Sequence, residues 1–455
     1  MEDSKTAPRH SPSSILHPRL HLRTSACLSG FILLLCGCAP NKNAQIVDAA
    51  VQDYFAANYP AAAAKLQPLA EKTNENFVLN NLRLGSTLLP VYNLDDAEAA
   101  FLRAWEVINS TGVNAGGRTL GAVLVDEKIK VWKGEPFERA MGSFYLGLIY
   151  YIRQDYGNAR GAFENALFKL QEIDPGDEAH GETSRDVESN FALASLMLGK
   201  CFQKLGRDDL AKSNLDNVTK IHPHLATLAE YERNKNSNLL LVVDYGYGPQ
   251  KVTDFDGAIV GFGPTPTEEG PIPRPFVRID GRPVEVENFA KPPVDLLAMA
   301  QDRKWQSIDT IRTVKSAVGT GLLWGGAITG IDAANHRSGD RQRDNLIVAG
   351  ALIGSGLLLK ASSQADVRQW EMLPRTTFIL PLRVEPGTHE ITIEFSAPPS
   401  RFGSPPLISQ TWRNLSVPPT GEATYYVRMQ RWNSGPYDWP PPRLTGDGTA
   451  IATGN

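Results

Sequence analysis

The sequence predicts an α + β multidomain protein. An N-terminal α-solenoid of paired helices comes first, then a β-sandwich-like half interrupted by a glycine-rich helical hairpin. Three observations carry this. A helical pattern with Gly and Ala at fixed offsets recurs through the first half. After "YERNKNSN" it gives way to short apolar or alternating runs punctuated by Gly and Pro. Two sets of such runs flank a pair of apolar stretches whose small residues recur four apart, a spacing that lets helix backbones approach closely. The boundaries read as 1–37 for a signal peptide, 38–236 for the helical domain, 237–435 for the β-rich domain and 436–455 for a disordered tail. The helical insertion lies at about 294–368.

The N-terminus is an address. From Ala26 to Leu35 the apolar run is about ten residues, half of the ~20 that a helix needs to cross a bilayer. With Arg19 and Arg23 ahead of it, it fits the apolar region of a secretory signal. "LCGC" (Leu35, Cys36, Gly37, Cys38) resembles the bacterial lipobox, a Leu three residues before a Cys with a small residue between them. The resemblance implies that Cys38 takes a diacylglycerol and becomes the first residue after cleavage. With Ala39 rather than Asp following it, the sorting rule of two-membraned bacteria implies the outer membrane. Several acyl chains, at about 0.8 kcal/mol per methylene, anchor a folded body stably.

Cleavage there leaves roughly 420 residues, enough for two or three domains. Lys and Arg number 46 against 50 Asp and Glu, a net charge of −4 with the signs interspersed, so nucleic acid is excluded as a partner class. Cys27 and Cys36 leave with the signal and Cys38 is lipidated, so Cys201 has no partner for an internal disulfide. Its neighbours Lys200 and Phe202 lie in a helical pattern, which reads as a buried, inert thiol.

The repeats come next. "FYLGLIYYIRQDYGNARGAFENAL" carries Leu146, Gly147, Tyr150, Ala159, Phe163 and Ala166. "MLGKCFQKLGRDDLAKSNLDNVTKIHP" carries Leu198, Gly199, Phe202, Ala211, Leu215, Val218 and Pro223 at the same offsets. "RLGSTLLPVYNLDDAEAAFLRAWEVI" supplies Leu84, Gly85, Leu88, Ala97, Phe101 and Ala104, and a degenerate copy shows at Ala62, Leu66 and Leu69. Gly and Ala belong where two antiparallel helices cross closely, and the large side chain fills the gap beside them. Neither helix of a pair buries its apolar face alone, so pairs must stack. In these offsets the segments resemble the tetratricopeptide repeat, which implies a groove for a protein or peptide partner. Two inserts interrupt the array, and inserts in a solenoid map to one face, often the binding face. In "VWKGEPFERA", Trp132 and Phe137 flank Lys133, Glu135 and Glu138; this reads either as a partner contact or as a capping helix packed on the next repeat.

In the second half, "LLLVVDYGYGP", "GAIVGFGP" and "PFVRIDGRPVEVENF" read as strands and turns, as do "TTFILPLRVEPGTHEITIEF", "PLISQTWRNLSV" and "ATYYVRMQRW". Val384 to Phe395 reads as a hairpin turning at "EPGT", with Ile391, Ile393 and Phe395 alternating on one face. This half resembles small β-sandwich modules of bacterial envelope proteins. The intervening "AVGTGLLWGGAITGI" and "LIVAGALIGSGLLL" pair Gly321 with Gly325, Gly326 with Gly330 and Gly350 with Gly354. Each run is about fifteen residues, ~22 Å as helix against a ~30 Å hydrocarbon core. That leaves two readings, a hairpin packed on its own domain or one dipping into the membrane. The layout from lipobox to "DVRQWEMLP" resembles an uncharacterised group of bacterial repeat lipoproteins.

Chemistry is sparse. The chain has no phosphate loop, nucleophile elbow or H-E-x-x-H motif. His222 and His224 flank Pro223, and two His fall short of the three or four ligands of a zinc site. Asp95, Asp96, Asp208 and Asp209 sit where a second repeat helix begins and read as N-caps. Asp366, Arg368 and Trp370 read as a structural Asp–Arg pair beside a packed Trp. No cofactor, metal or catalytic residue is expected. The sequence points to a non-enzymatic, lipid-anchored envelope adaptor facing the periplasm, binding its partner in the repeat groove. The alternatives are an envelope enzyme acting on glycan or peptide through the β-rich domain, and a membrane-active assembly factor using the glycine-rich hairpin.

Overall fold

The computed structural model describes residues 42–110, 131–170, 189–253, 259–265, 271–286, 289–302, 367–396, 408–429 and 434–439. It also describes the short strand pairs 173–174 with 185–186 and 443–444 with 450–451. The lipobox with Cys38, Asp366 and the glycine-rich stretch from Gly321 to Gly354 lie outside the described residues. From Lys42 onward the chain forms one compact unit, with helical repeats in its first half and sheets after them.

The helices come in antiparallel pairs: α1 (Lys42–Phe55) with α2 (Tyr59–Ala70), α3 (Phe77–Leu88) with α4 (Leu94–Asn109), α5 (Pro136–Ile152) with α6 (Tyr156–Phe168), and α7 (Ala192–Lys204) with α8 (Asp208–Ile221). One backbone device turns each pair. Ala57, Tyr92, Gln154 and Gly206 take left-handed φ values of 63°, 56°, 62° and 71°. The N–H of the next residue then bonds back into the helix just ended, as Asn58 to Asp53 O at 2.8 Å and Arg207 to Phe202 O at 2.8 Å. This C-terminal motif satisfies carbonyls the helix would leave bare, and it normally demands Gly; only Gly206 obliges. After helix α9 (Ala226–Arg233) another residue, Lys235, takes a left-handed φ of 53°, but the chain then enters a strand.

The crossings follow size. A Cβ built on Gly85 would lie 2.7 Å from the Phe101 ring, one on Gly147 2.7 Å from Phe163, and one on Gly199 3.0 Å from Leu215. Ala97, Ala159 and Ala211 are buried in the second helices, and Leu84, Leu146, Leu198 and Phe202 are buried in the first, with Tyr150 half-buried. The four aspartates are not caps. Asp95, Asp96, Asp208 and Asp209 lie one position or more inside the helix, in the first turn. There they meet the positive end of the helix dipole, while Asp155 is a true cap, accepting from the Asn158 N–H.

The strands form β1 (Ile173–Asp174), β2 (Arg185–Asp186), β3 (Leu239–Tyr245), β4 (Gln250–Thr253), β5 (Ile259–Gly263), β6 (Arg274–Ile279), β7 (Arg282–Val284), β8 (Thr376–Leu382), β9 (Gly387–Ser396), β10 (Ile408–Val417), β11 (Ala423–Arg428), β12 (Ser434–Asp438), β13 (Arg443–Leu444) and β14 (Ala450–Ile451). A three-stranded sheet has the order β11-β3-β8 and a five-stranded sheet the order β12-β10-β9-β6-β7. Strand β3 runs parallel to β11 and antiparallel to β8. The Phe395 ring of the larger sheet meets Tyr245 at 4.4 Å and Phe378 at 5.5 Å in the smaller one. The "EPGT" turn therefore joins two sheets instead of making a hairpin: β8 pairs with β3, and β9 with β6 and β10. The reason is burial. Every residue of β8 is buried, so both of its faces need cover, whereas β9 turns Ile391, Ile393 and Phe395 inward and its other side outward.

Contacts cross the boundary between residues 236 and 237 throughout. One continuous core runs from Val47 through the helix pairs and both sheets to Met429. Strand β12 and Trp439 fall in or beside the stretch read as a disordered tail; the Trp439 ring lies 4.2 Å from Tyr92 and 4.9 Å from Tyr425. The Tyr92 hydroxyl accepts from the Tyr426 N–H at 2.5 Å and donates to the Tyr426 carbonyl at 3.1 Å, on the side of β11 away from β3.

Candidate functional site: the inner face of the helix pairs

The first helices of the pairs, α1, α3, α5 and α7, turn a common side toward the sheet half. Helix α3 is buried at every residue, Asn80, Arg83, Ser86 and Thr87 among them. Polar groups so placed must find partners, because an unmade hydrogen bond in the interior costs about 1–3 kcal/mol. They find them in residues 368–373, "RQWEML", an irregular segment leading into β8.

The contacts are specific. The Arg83 guanidinium holds the Glu371 carboxylate through two bonds, one of them Nε to Oε2 at 2.8 Å, with side chains 4% and 3% exposed. Asn80 Oδ1 accepts from Arg83 at 3.1 Å and steadies it. Trp370, 1% exposed, donates its ring N–H to Ser86 Oγ at 3.0 Å and its backbone N–H to Glu138 Oε1 at 2.6 Å. Its ring lies 6.1 Å from Phe101 and 5.8 Å from Tyr145, over Gly142. Tyr54 donates to the Met372 carbonyl at 3.3 Å, and Thr87 reaches the Met372 sulfur at 3.7 Å. Arg368 bonds the Glu75 carbonyl at 2.7 Å and Asn76 at 3.2 Å; Asp366, read above as its partner, lies outside the described residues.

Trp132 and Phe137, offered above as partner contacts, are corrected by their burial. They are 4% and 2% exposed and already engaged. Trp132 donates to the Arg368 carbonyl at 3.1 Å, and Phe137 packs edge-on to Phe262 at 5.7 Å. The inner face is likewise not an open groove, because the chain's own segment fills it.

Electrostatics mark two places. At the start of α5, Glu135 and Glu138 form a capping box around Pro136. Glu138 is pushed up to about 7, chiefly by burial and secondarily by Glu135, with Lys251 and the two backbone N–H donors opposing. Lys251 pairs with Glu135 at 3.2 Å and bonds the Arg368 carbonyl at 2.9 Å. Deeper in, Lys200 contacts Glu232 at 2.5 Å and Glu422 at 3.0 Å, and Tyr151 donates to Glu422 at 3.0 Å. Burial alone would depress Lys200; the two carboxylates outweigh it and hold the ammonium charged. On β3, buried Asp244 accepts from Tyr145 at 2.6 Å, Tyr426 at 2.8 Å and Thr377 at 2.5 Å, and burial raises it. Cys201 is fully buried, and burial drives its thiol well above the ordinary range. His222 bonds the Asn190 carbonyl at 2.6 Å, and no metal-holding group of His, Cys, Asp and Glu occurs among the described residues. Among the same residues no helix is long and apolar enough to cross a membrane.

Sequence reasoning missed Arg83, Glu138 and Glu371. Two signals were legible: a charge inside the otherwise uncharged "VLNNLRLG", and an acid three residues after Glu135. The arrangement holds an irregular segment, turned at Glu371 and Met372, largely through side chains.

Comparison with known proteins adds little. No family model matches the chain, and no curated protein does either. Among solved structures the chain is similar to that described as "Crystal structure of MamA", over 40% of this chain and 83% of that one, at 16% identity and a TM-score of 0.27. A likeness that slight carries no function across. The fold and the site define a helical-repeat protein with a sheet half, whose inner helix face holds a peptide segment of its own.

Proposed function

We propose that the protein is a non-enzymatic adaptor of the bacterial cell envelope, anchored through lipidated Cys38 in the outer membrane and facing the periplasm. On this reading the helix pairs are a tetratricopeptide-type solenoid, and the two facing sheets are a β-sandwich that positions it. The layout is that of the uncharacterised repeat lipoproteins the sequence resembles. One observation supports the adaptor reading above the rest: side chains of successive first helices hold the main chain and side chains of an irregular segment, "RQWEML". A surface that does this has the chemistry of peptide recognition. Because residues 368–373 occupy it, a partner either exchanges with them or uses another face.

Two measurements test the proposal. Cys38→Ser should abolish acyl labelling and leave an unprocessed precursor; normal cleavage and palmitate labelling of that variant would refute the anchor. In-cell crosslinking of the wild-type lipoprotein should trap a discrete protein at defined stoichiometry. Recovery of the lipoprotein alone would refute the adaptor.

A further inference from the structure

We propose that the inner face of the helix pairs is an exchangeable peptide site. Its partner in trans is a protein segment with a Trp followed directly by a carboxylate and a methionine, which displaces residues 369–373. The inference rests on the adaptor reading and gives it a site and a ligand chemistry.

The occupant is held as a ligand is held. Most of its main-chain bonds go to side chains: Glu138 takes the Trp370 N–H, Trp132 and Lys251 supply the Arg368 carbonyl, and Tyr54 supplies the Met372 carbonyl, while Leu373 is held by main chain, accepting from the Gly248 N–H at 2.8 Å and donating to the Trp370 carbonyl at 3.4 Å. No sheet ladder runs through it, and the ladder begins only at Thr376. The Trp pocket is walled by the array itself. Phe101 is seated on Gly85, and Tyr145 is fixed by its bond to Asp244, so neither wall depends on the Trp370 ring for its place.

Next to that pocket, Arg83 selects charge. A buried ion pair adds little net stability over apolar packing of the same volume, yet a wrong residue opposite a buried guanidinium is heavily penalised. The pair therefore specifies what lies in the groove more than it fastens it.

The test uses the processed lipoprotein in detergent micelles and a fluorescent peptide of residues 367–376. In Glu371→Lys the chain's own segment meets Arg83 with like charge and gives up the groove. This variant should bind the peptide about a hundredfold more tightly than a peptide carrying Lys in place of its Glu. The double variant Arg83→Glu/Glu371→Lys should restore the internal occupant and bind neither peptide. Equal binding of both peptides by a folded Glu371→Lys chain, or none, overturns the proposal. Should that variant not fold, wild type decides. Saturating peptide must speed amide exchange across residues 369–373, and unchanged exchange refutes displacement. Concentration-dependent dimers indifferent to peptide would assign the groove to a second copy and overturn it too. Failure on any arm leaves the crosslinked partner of the adaptor reading untouched, so the two fail separately.

Discussion

Replacing Gly147 by Ala sets two opposing effects against each other, and the structure supplies both. In a helix interior Gly to Ala gains about 1 kcal/mol from backbone entropy alone. Against this, the new methyl would stand 2.7 Å from the Phe163 ring. That ring is fully buried and packed 5.6 Å from Phe144, so it has nowhere to go. Overpacking of this kind costs about 1–3 kcal/mol, which leaves Gly147→Ala destabilised by up to about 2 kcal/mol. Gly161 lies on the partner helix α6 with nothing within 4 Å of its built Cβ. There the backbone term acts alone, and Gly161→Ala should gain about 1 kcal/mol. Gly199→Ala falls between them, because its neighbour at 3.0 Å is the side chain of Leu215, which can yield. Urea denaturation followed by far-UV circular dichroism measures all three midpoints, which should rise in the order Gly147, Gly199, Gly161. A Gly147→Ala midpoint equal to or above that of Gly161→Ala would refute the close crossing of α5 and α6.

Other outcomes follow from the same structure. Glu138 sits at about 7 when folded against an ordinary 4.5. Its contribution to stability is therefore complete below about pH 4.5 and is lost as pH rises through 7, a change of about 3 kcal/mol. The difference in urea midpoint between wild type and Glu138→Gln should shift across that window, and a difference constant with pH would count against a buried acid there. Trp132→Ala should lose about 3–5 kcal/mol through its cavity and the lost bond to the Arg368 carbonyl, which keeps Lys251 as its other donor; an unchanged melting temperature would show the ring to be exposed. A chain beginning after Cys38 should stay soluble without detergent if the glycine-rich stretch packs on its own domain. Flotation of that lipid-free chain with liposomes, abolished by removing residues 317–360, would favour the membrane-active reading.

The repeats were legible because their determinants are local. Gly147 and Phe163 must be a set distance apart in the chain for one to rest on the other, and the same distance separates Gly85 from Phe101. The turn residues were less legible, since Ala57, Tyr92 and Gln154 do what Gly does without being Gly. The filled groove was not legible at all. Arg83 and Glu371 are far apart in the chain, and nothing in "RQWEML" distinguishes a groove occupant from a surface loop. Trp132 and Phe137 misled for the same reason: aromatic rings among charges look alike whether they face solvent or a neighbouring strand. "EPGT" suits a hairpin and a corner between sheets equally, and only the all-buried β8 on one side of it decides.

The bond of Tyr92 to strand β11 has a consequence for how this chain misbehaves. The outer margin of a sheet is a row of bare amides and carbonyls, a template on which another chain can polymerise. Here a side chain from a helix turn occupies both backbone groups of Tyr426, with the Trp439 ring laid against it. The helical half thus acts as an intramolecular chaperone for the sheet. Excising it would uncover an aggregating surface as well as removing the helix pairs. Insoluble fragments are then the expected result of dividing the chain at residue 236, and loss of the Tyr92 hydroxyl is the smallest change that starts it down that path.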